Sequence, residues 1–321
     1  MRKFLSIVIA ISMMLFLSSC AQPPPRTDTT LDLDIPVLSV EHGEDYVIEW
    51  ADEGMEAHIR MWLDKPEGDI YHSDVWDIRL ISILPGGGVA YDVIMEMPPE
   101  NRDYFDNMDF CYEESRMYYD AVSLPAINSL EDLRHFDSLQ YLLIASHGIY
   151  TYALTDISAL TACKNLKVLK FVSVYLESLD EIGQLTSLER LNLLQCFSEG
   201  ELDLEPLRNL TNVWYCAISN TGIMSLEPLV DLPLQTLDIS CGLYTKNLHD
   251  NLDFEPISRM EKLTHLRFLR VDSFTKEDCE FIMGSLDNLK QIDISYTMAA
   301  DYLGDIRAQY PKVKFLCYGL R

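Results

Sequence analysis

From residue 139 onward, apolar residues recur at a spacing that neither a helix nor a strand produces alone. In TSLERLNLLQC (186–196), Leu188, Leu191 and Leu193 stand at offsets 0, 3 and 5. The same offsets are apolar in Leu139/Leu142/Ile144, Leu166/Leu169/Phe171, Val213/Cys216/Ile218, Leu234/Leu237/Ile239, Leu263/Leu266/Phe268 and Leu289/Ile292/Ile294. All 21 aligned positions are apolar, and successive copies begin 27, 22, 25, 21, 29 and 26 residues apart. An eighth copy is read from Val313, and a divergent first one from Ile78/Ile81/Ile83.

A coil that closes on itself accounts for this pattern. Offsets 3 and 5 lie on one face of a short strand and point inward. Offset 0 enters the same core from the preceding turn. One coil cannot bury these side chains alone, so neighbours must stack. The return segments carry a different period. Leu176, Leu179, Ile182 and Leu185 recur every three residues, as do Ile223, Leu226, Leu229 and Leu232, which fits 3-10 turns. Glu-Pro-Leu/Ile opens three of these segments, at 205–207, 227–229 and 255–257. Proline suits a first helical turn because its missing N–H would go unpaired there. The expected fold is α/β, a leucine-rich-repeat solenoid. It is a right-handed β-α superhelix with short strands on the concave face and short helical or 3-10 turns on the convex face. An N-terminal helical cap closes it. Asp52 is placed as the N-cap of a helix carrying Met55, Ile59 and Trp62 on one face. A second short helix near Ser73 to Asp77 leads into the first strand.

The first twenty residues form a separate signal. Arg2 and Lys3 precede an apolar run from Phe4 to Leu17. Fourteen residues as a helix span roughly 21 Å, short of a bilayer core of about 30 Å. The run therefore reads as a removable signal peptide. Leu17-Ser18-Ser19-Cys20 resembles a bacterial lipobox, which implies that Cys20 becomes the first mature residue and carries lipid. The proline-rich stretch after it cannot build a core and reads as a tether. The expected organisation is a lipoprotein signal peptide over 1–19, lipidated Cys20 and tether over 20–36, and the cap and first strand over 37–83. An irregular insertion or hairpin follows over 84–130, and the repeats occupy 131–321.

Composition narrows the partners. The formal charge is -26, which repels nucleic acid and anionic headgroups. Residues 28–120 hold 24 Asp/Glu against 5 Lys/Arg; residues 121–321 hold 27 against 17. Seven cysteines follow Cys20, with no CxxC pair, so zinc is not expected. Those inside the repeats read as buried apolar fillers in free thiol form. No HExxH, GxSxG or phosphate-loop pattern occurs. Gly86-Gly87-Gly88 reads as a plain turn. Asp103, Asp106, Asp109, Glu113 and Glu114 read as a solvated acidic face, with a calcium site or a metal-dependent activity as the less favoured reading. No catalytic residue, cofactor or resident metal is expected.

The repeats resemble bacterial leucine-rich-repeat proteins of the internalin type over residues 50–321. The resemblance implies a binding role and no catalytic one. It departs at offset 8, where that family often carries Asn. Here the column is His147, Val174, Cys196, Thr221, Gly242, Val271 and Thr297.

On each strand, offsets 2, 4 and 6 alternate with the buried positions. They are expected to present Tyr141, Leu143, Val168, Lys170, Arg190, Asn192, Leu194 and Tyr215 as an exposed, largely apolar patch for a protein or peptide ligand. The competing expectation is that residues 84–130 fold back over it. The whole reads as an extracytoplasmic protein-binding module held at a membrane through its N-terminal lipid, an adhesin being one form. It sits on the outer face of the cytoplasmic membrane in a Gram-positive cell. In a Gram-negative cell Ala21, where Asp would retain it, directs the expectation to the outer membrane. The alternative is a structural or envelope-assembly lipoprotein with bacterial partners.

Overall fold

The computed structural model describes residues 40–85, 91–94, 125–145, 156–242 and 248–319. The signal segment, Cys20, the tether, Gly86–Gly88, Cys111, the carboxylates between Asp103 and Glu114, and His147 lie outside these residues. The chain divides into two compact units, residues 1–156 and 157–321.

In the first unit, helix α1 (Glu53–Trp62) starts where Asp52 accepts a hydrogen bond from the Met55 N–H. The other oxygen of Asp52 accepts from Asn128 and Ser129, at 2.8 and 3.0 Å. Asp132 in turn accepts from the N–H groups of Ala51 and Asp52, at 2.8 and 2.9 Å. Two carboxylates thus tie the helix start to the segment leading into the 3-10 turn Glu131–His135. Met55 and Ile59 are fully buried, but Trp62 is 40% exposed. The buried residues all come from the first two turns of α1, and the last turn overhangs the core. The second short helix is a 3-10 turn, His72–Asp74.

Strand β1 (Leu80–Pro85) pairs antiparallel with β2 (Tyr91–Ile94), so a hairpin opens the segment read as irregular. On its other side β1 pairs parallel with β3 (Tyr141–Ala145), with Ile81 opposite Leu142 and Ile83 opposite Ile144. Ile78, Ile81 and Ile83 are buried, so the divergent first repeat stands in the expected register.

The second unit contains β4 (Val168–Val172), β5 (Arg190–Leu194), β6 (Tyr215–Ser219), β7 (Thr236–Asp238), β8 (His265–Arg267), β9 (Gln291–Asp293) and β10 (Lys314–Leu316). They pair parallel in chain order. Return segments are 3-10 turns: Ser158–Ala162, Ile182–Gln184, Glu205–Asn209, Glu227–Leu229 and Glu255–Arg259. The three Glu-Pro turns carry proline in their first turn, as expected. Two later returns are helical, α2 (Lys276–Ser285) and α3 (Leu303–Gln309). This is a leucine-rich-repeat solenoid. All 21 aligned core positions are at most 5% exposed, and both three-residue-period runs are buried.

Three features of the coil were not anticipated. After β4, β5, β6, β8 and β9 the chain turns through a left-handed residue at offset 7: Ser173, Gln195, Asn220, Arg270 and Tyr296, with φ of 58°, 53°, 58°, 61° and 59°. That turn aims the offset-7 N–H at the offset-6 carbonyl of the next coil. Ser173 donates to Leu194, Gln195 to Ser219 and Asn220 to Ser240, each at 2.8 Å. Second, a side-chain ladder stands just before offset 0. Ser187 donates to Lys164 O (2.7 Å), Asn212 to Thr186 O (2.9 Å) and Asn288 to Glu261 O (2.9 Å). It takes the bridging role that the offset-8 column lacks the asparagines for. Offset 8 is instead buried filler, although the Cys196 thiol also reaches back 3.8 Å to Phe171 O.

Third, the last coil is one residue out of the expected register. Lys314 pairs with Gln291 and Phe315 with Ile292, so Phe315 rather than Leu316 takes the inward site. Val313 is only partly buried and Tyr318 is 56% exposed. At the end of the paired strands a single phenylalanine covers the preceding coil, and the other two inward sites lose their apolar requirement.

Candidate functional site

The outer face of the parallel strands carries the residues that strand geometry turns away from the core. Strand alternation sends offsets 2, 4 and 6 to that face. In the first unit it receives Tyr141, partly exposed, and Leu143, only 3% exposed. In the second unit, Val168, Lys170 and Arg190 are 7%, 3% and 4% exposed. Asn192, Leu194 and Tyr215 are half-buried. The expected open patch is therefore corrected at Leu143, Val168, Lys170 and Arg190, whose side chains are largely withdrawn from solvent.

At Arg190 the reason is local. Neighbouring strands lie about 4.8 Å apart, close enough for long side chains to lie across one another. The Arg190 guanidinium sits 4.6 Å from the centre of the Tyr215 ring and 5.6 Å from that of Trp214. The two rings meet edge to face, with centroids 6.2 Å apart. Cation and rings form a single shelf at the start of β5 and β6. Trp214, at offset 1, was not among the expected residues. The adjacent pair Trp214-Tyr215 at a strand start was the available signal.

Further along the same unit the outer face changes character. Arg267 stands between Asp238 and Asp293, its nitrogens 3.4 and 3.5 Å from their carboxylates. Both aspartates are also anchored to serines two residues on. Asp238 accepts from the Ser240 N–H (2.9 Å), and Asp293 from the Ser295 N–H (2.9 Å) and hydroxyl (2.6 Å). The repeated Asp-Ile-Ser at 238–240 and 293–295 thus has its carboxylates held by local donors and half offset by Arg267. A cleft of about 470 Å³ between residues 175–180 and 198–206 carries the carboxylates of Glu177, Asp180, Glu199, Glu201 and Asp203. Its charge excludes anionic ligands.

Five of the six described thiols are shut away from solvent; Cys317 is the partly exposed one. Cys163, Cys196, Cys216, Cys241 and Cys279 are free and buried, and burial pushes each up to about 12. Each therefore stays protonated at neutral pH. Among the described residues, no group of three His, Cys, Asp or Glu is arranged to hold a metal ion.

No family model matches the chain, and no curated protein matches it. Among solved structures it is similar to an internalin C2 from Listeria monocytogenes, at 17% identity, covering 74% of this chain and 91% of that one, with a TM-score of 0.43. It is also similar to an internalin F from the same organism, at 17% identity, covering 84% of this chain and 76% of that one, with a TM-score of 0.44.

Proposed function

We propose that this protein is a binding module that grips another protein or a peptide with the outer strand face of its solenoid, centred on the start of β5 and β6. The observation that carries this reading is the shelf of Arg190, Trp214 and Tyr215 beside the half-exposed Asn192 and Leu194. Rigid aromatic side chains with a pre-packed arginine lose little freedom on binding, and such groups dominate protein interfaces. Val168 and Lys170, opposite Arg190 and Asn192 on the neighbouring strand, act as support. The mature chain begins at Cys20, is acylated there, and works outside the cytoplasm at the end of the 20–36 tether. Two or more acyl chains give a stable anchor where one gives a marginal one.

Crosslinking on intact cells, followed by identification of the attached protein, supplies the partner. Tyr215→Ala is then expected to weaken that partner's binding at least tenfold, with an unchanged circular dichroism spectrum. Unchanged affinity removes the shelf from the interface. Cys20→Ala is expected to move the protein from the membrane fraction to the soluble one and to abolish labelling by an alkyne fatty acid. Retained labelling refutes the anchor.

A further inference from the structure

The first unit holds a cluster of titratable rings that the binding reading leaves unused. Residues 46–48 run antiparallel to 70–72: Ile48 N–H donates to Ile70 O (2.9 Å), and His72 N–H donates to Tyr46 O (2.8 Å). His42 stacks on Trp76 with ring centres 4.2 Å apart, and its Nδ1 lies 3.1 Å from Asp137 Oδ2. His72, itself buried, reaches the same Asp137 oxygen at 3.2 Å and stacks on Tyr46 at 4.6 Å. The Tyr46 hydroxyl lies 2.8 Å from Nδ1 of His135, and Trp50 meets the His135 ring edge-on at 6.1 Å. Three imidazoles thus join the 40–50 segment to the turn at 71–77 and to the 3-10 turn ending at His135.

The surrounding charges are already committed. Asp132, 3.9 Å from His135 Nε2, accepts the two N–H groups at the start of α1. Glu131 is paired with Arg134, whose positive charge lies beside His135. Asp45 binds the backbone and hydroxyl of Ser73, and Asp74 binds Lys65. Asp77 is largely exposed and lies 3.6 Å from His42. Asp137 thereby bridges the His42 and His72 rings. A proton on His135 adds a cation inside this packed cluster, next to Arg134 and His72.

We propose that this seam is an acid-sensitive clasp: the uncharged His135 imidazole, bonded to the Tyr46 hydroxyl, holds residues 40–50 against the cap, and its protonation in an acidified medium releases that segment while the coils of the second unit stay folded. Burial and the adjacent positive charges hold His135 down at about 4. Once released, the imidazole returns to about 6.5. The open form therefore takes the proton first, and closure weakens as pH falls from about 6.5 toward 4.

Hydrogen–deuterium exchange of the full chain across pH 7.5 to 4.5, expressed as protection factors, tests this. In a His249→Leu background, which removes the second unit's own response to acid, protection of peptides covering 40–50 is expected to drop at least tenfold below pH 6.5, while peptides covering 186–196 keep theirs. His135→Phe, which keeps a ring but cannot charge, should hold the segment closed to lower pH. Tyr46→Phe, which removes the contact to His135, should open it at higher pH and serves if His135→Phe does not fold. Unchanged protection of 40–50 down to pH 4.5 overturns the proposal. So does loss of both peptides together, or the same opening pH in wild type and in whichever variant folds.

Discussion

The left-handed residues after the strands are the smallest units on which the coil depends. Ser173, Gln195, Asn220, Arg270 and Tyr296 all adopt a backbone region that L side chains enter at about 1 kcal/mol or more. In the first three, the N–H gains an inter-coil hydrogen bond of 2.8 Å, which offsets that strain. Gln195→Gly is expected to change stability by less than about 0.5 kcal/mol, whereas the β-branched Gln195→Val should cost about 1–2 kcal/mol in urea unfolding. Equal effects would mean that the backbone shape there is not limiting. Nothing at offset 7 signals this shape in advance, because the five side chains share no chemistry and none is glycine. A second single-residue effect is electrostatic. His249 is fully buried, and burial holds it down at about 4. The unfolded chain therefore protonates first as pH falls. Stability should be highest above pH 6.5 and decline toward pH 4, by up to roughly 1.4 kcal/mol per pH unit. His249→Leu should flatten that slope in denaturant titrations at pH 4.5 and 7.5.

Stacked coils depend on how closely their return turns approach. Gly183, inside the turn Ile182–Gln184, has no room for a side chain: a Cβ there would lie 2.4 Å from Pro206 O of the next coil. Gly183→Ala must push two backbones apart and is expected to lower stability by about 1–3 kcal/mol, read as a shifted urea midpoint. Leu191→Ala in β5 should lose more, about 2–5 kcal/mol, by leaving a cavity at a fully buried position. Legibility differs between these elements for physical reasons. Leu191 could be placed from spacing, since burial at offsets 0, 3 and 5 follows from strand geometry and stacking. Asp52 and the Glu-Pro turns could be placed because capping chemistry is local. The register of β10 could not, since Phe315 wins its inward site through packing on the coil before it. Withdrawal of Leu143, Val168, Lys170 and Arg190 was equally hidden. Alternation says which way a side chain points and nothing about what lies across it; for Arg190 that is the Trp214-Tyr215 pair.

Across the whole molecule, the excess of carboxylates sets the response to salt. With a formal charge of -26, like charges repel across the surface more strongly as screening weakens. The screening length shrinks from about 30 Å at 0.01 M salt to about 8 Å at 0.15 M. The melting temperature is therefore expected to rise over that range, as measured by differential scanning calorimetry. A fall would show that attractive pairs dominate. Buried sulfurs also recur along the second unit, at Cys163, Cys196, Cys216, Cys241 and Cys279. None can meet an alkylating reagent until its own stretch of backbone parts from its neighbours. The chain thus contains a row of chemical timers, and brief exposure to iodoacetamide followed by peptide mapping would read out the order in which the stack comes undone.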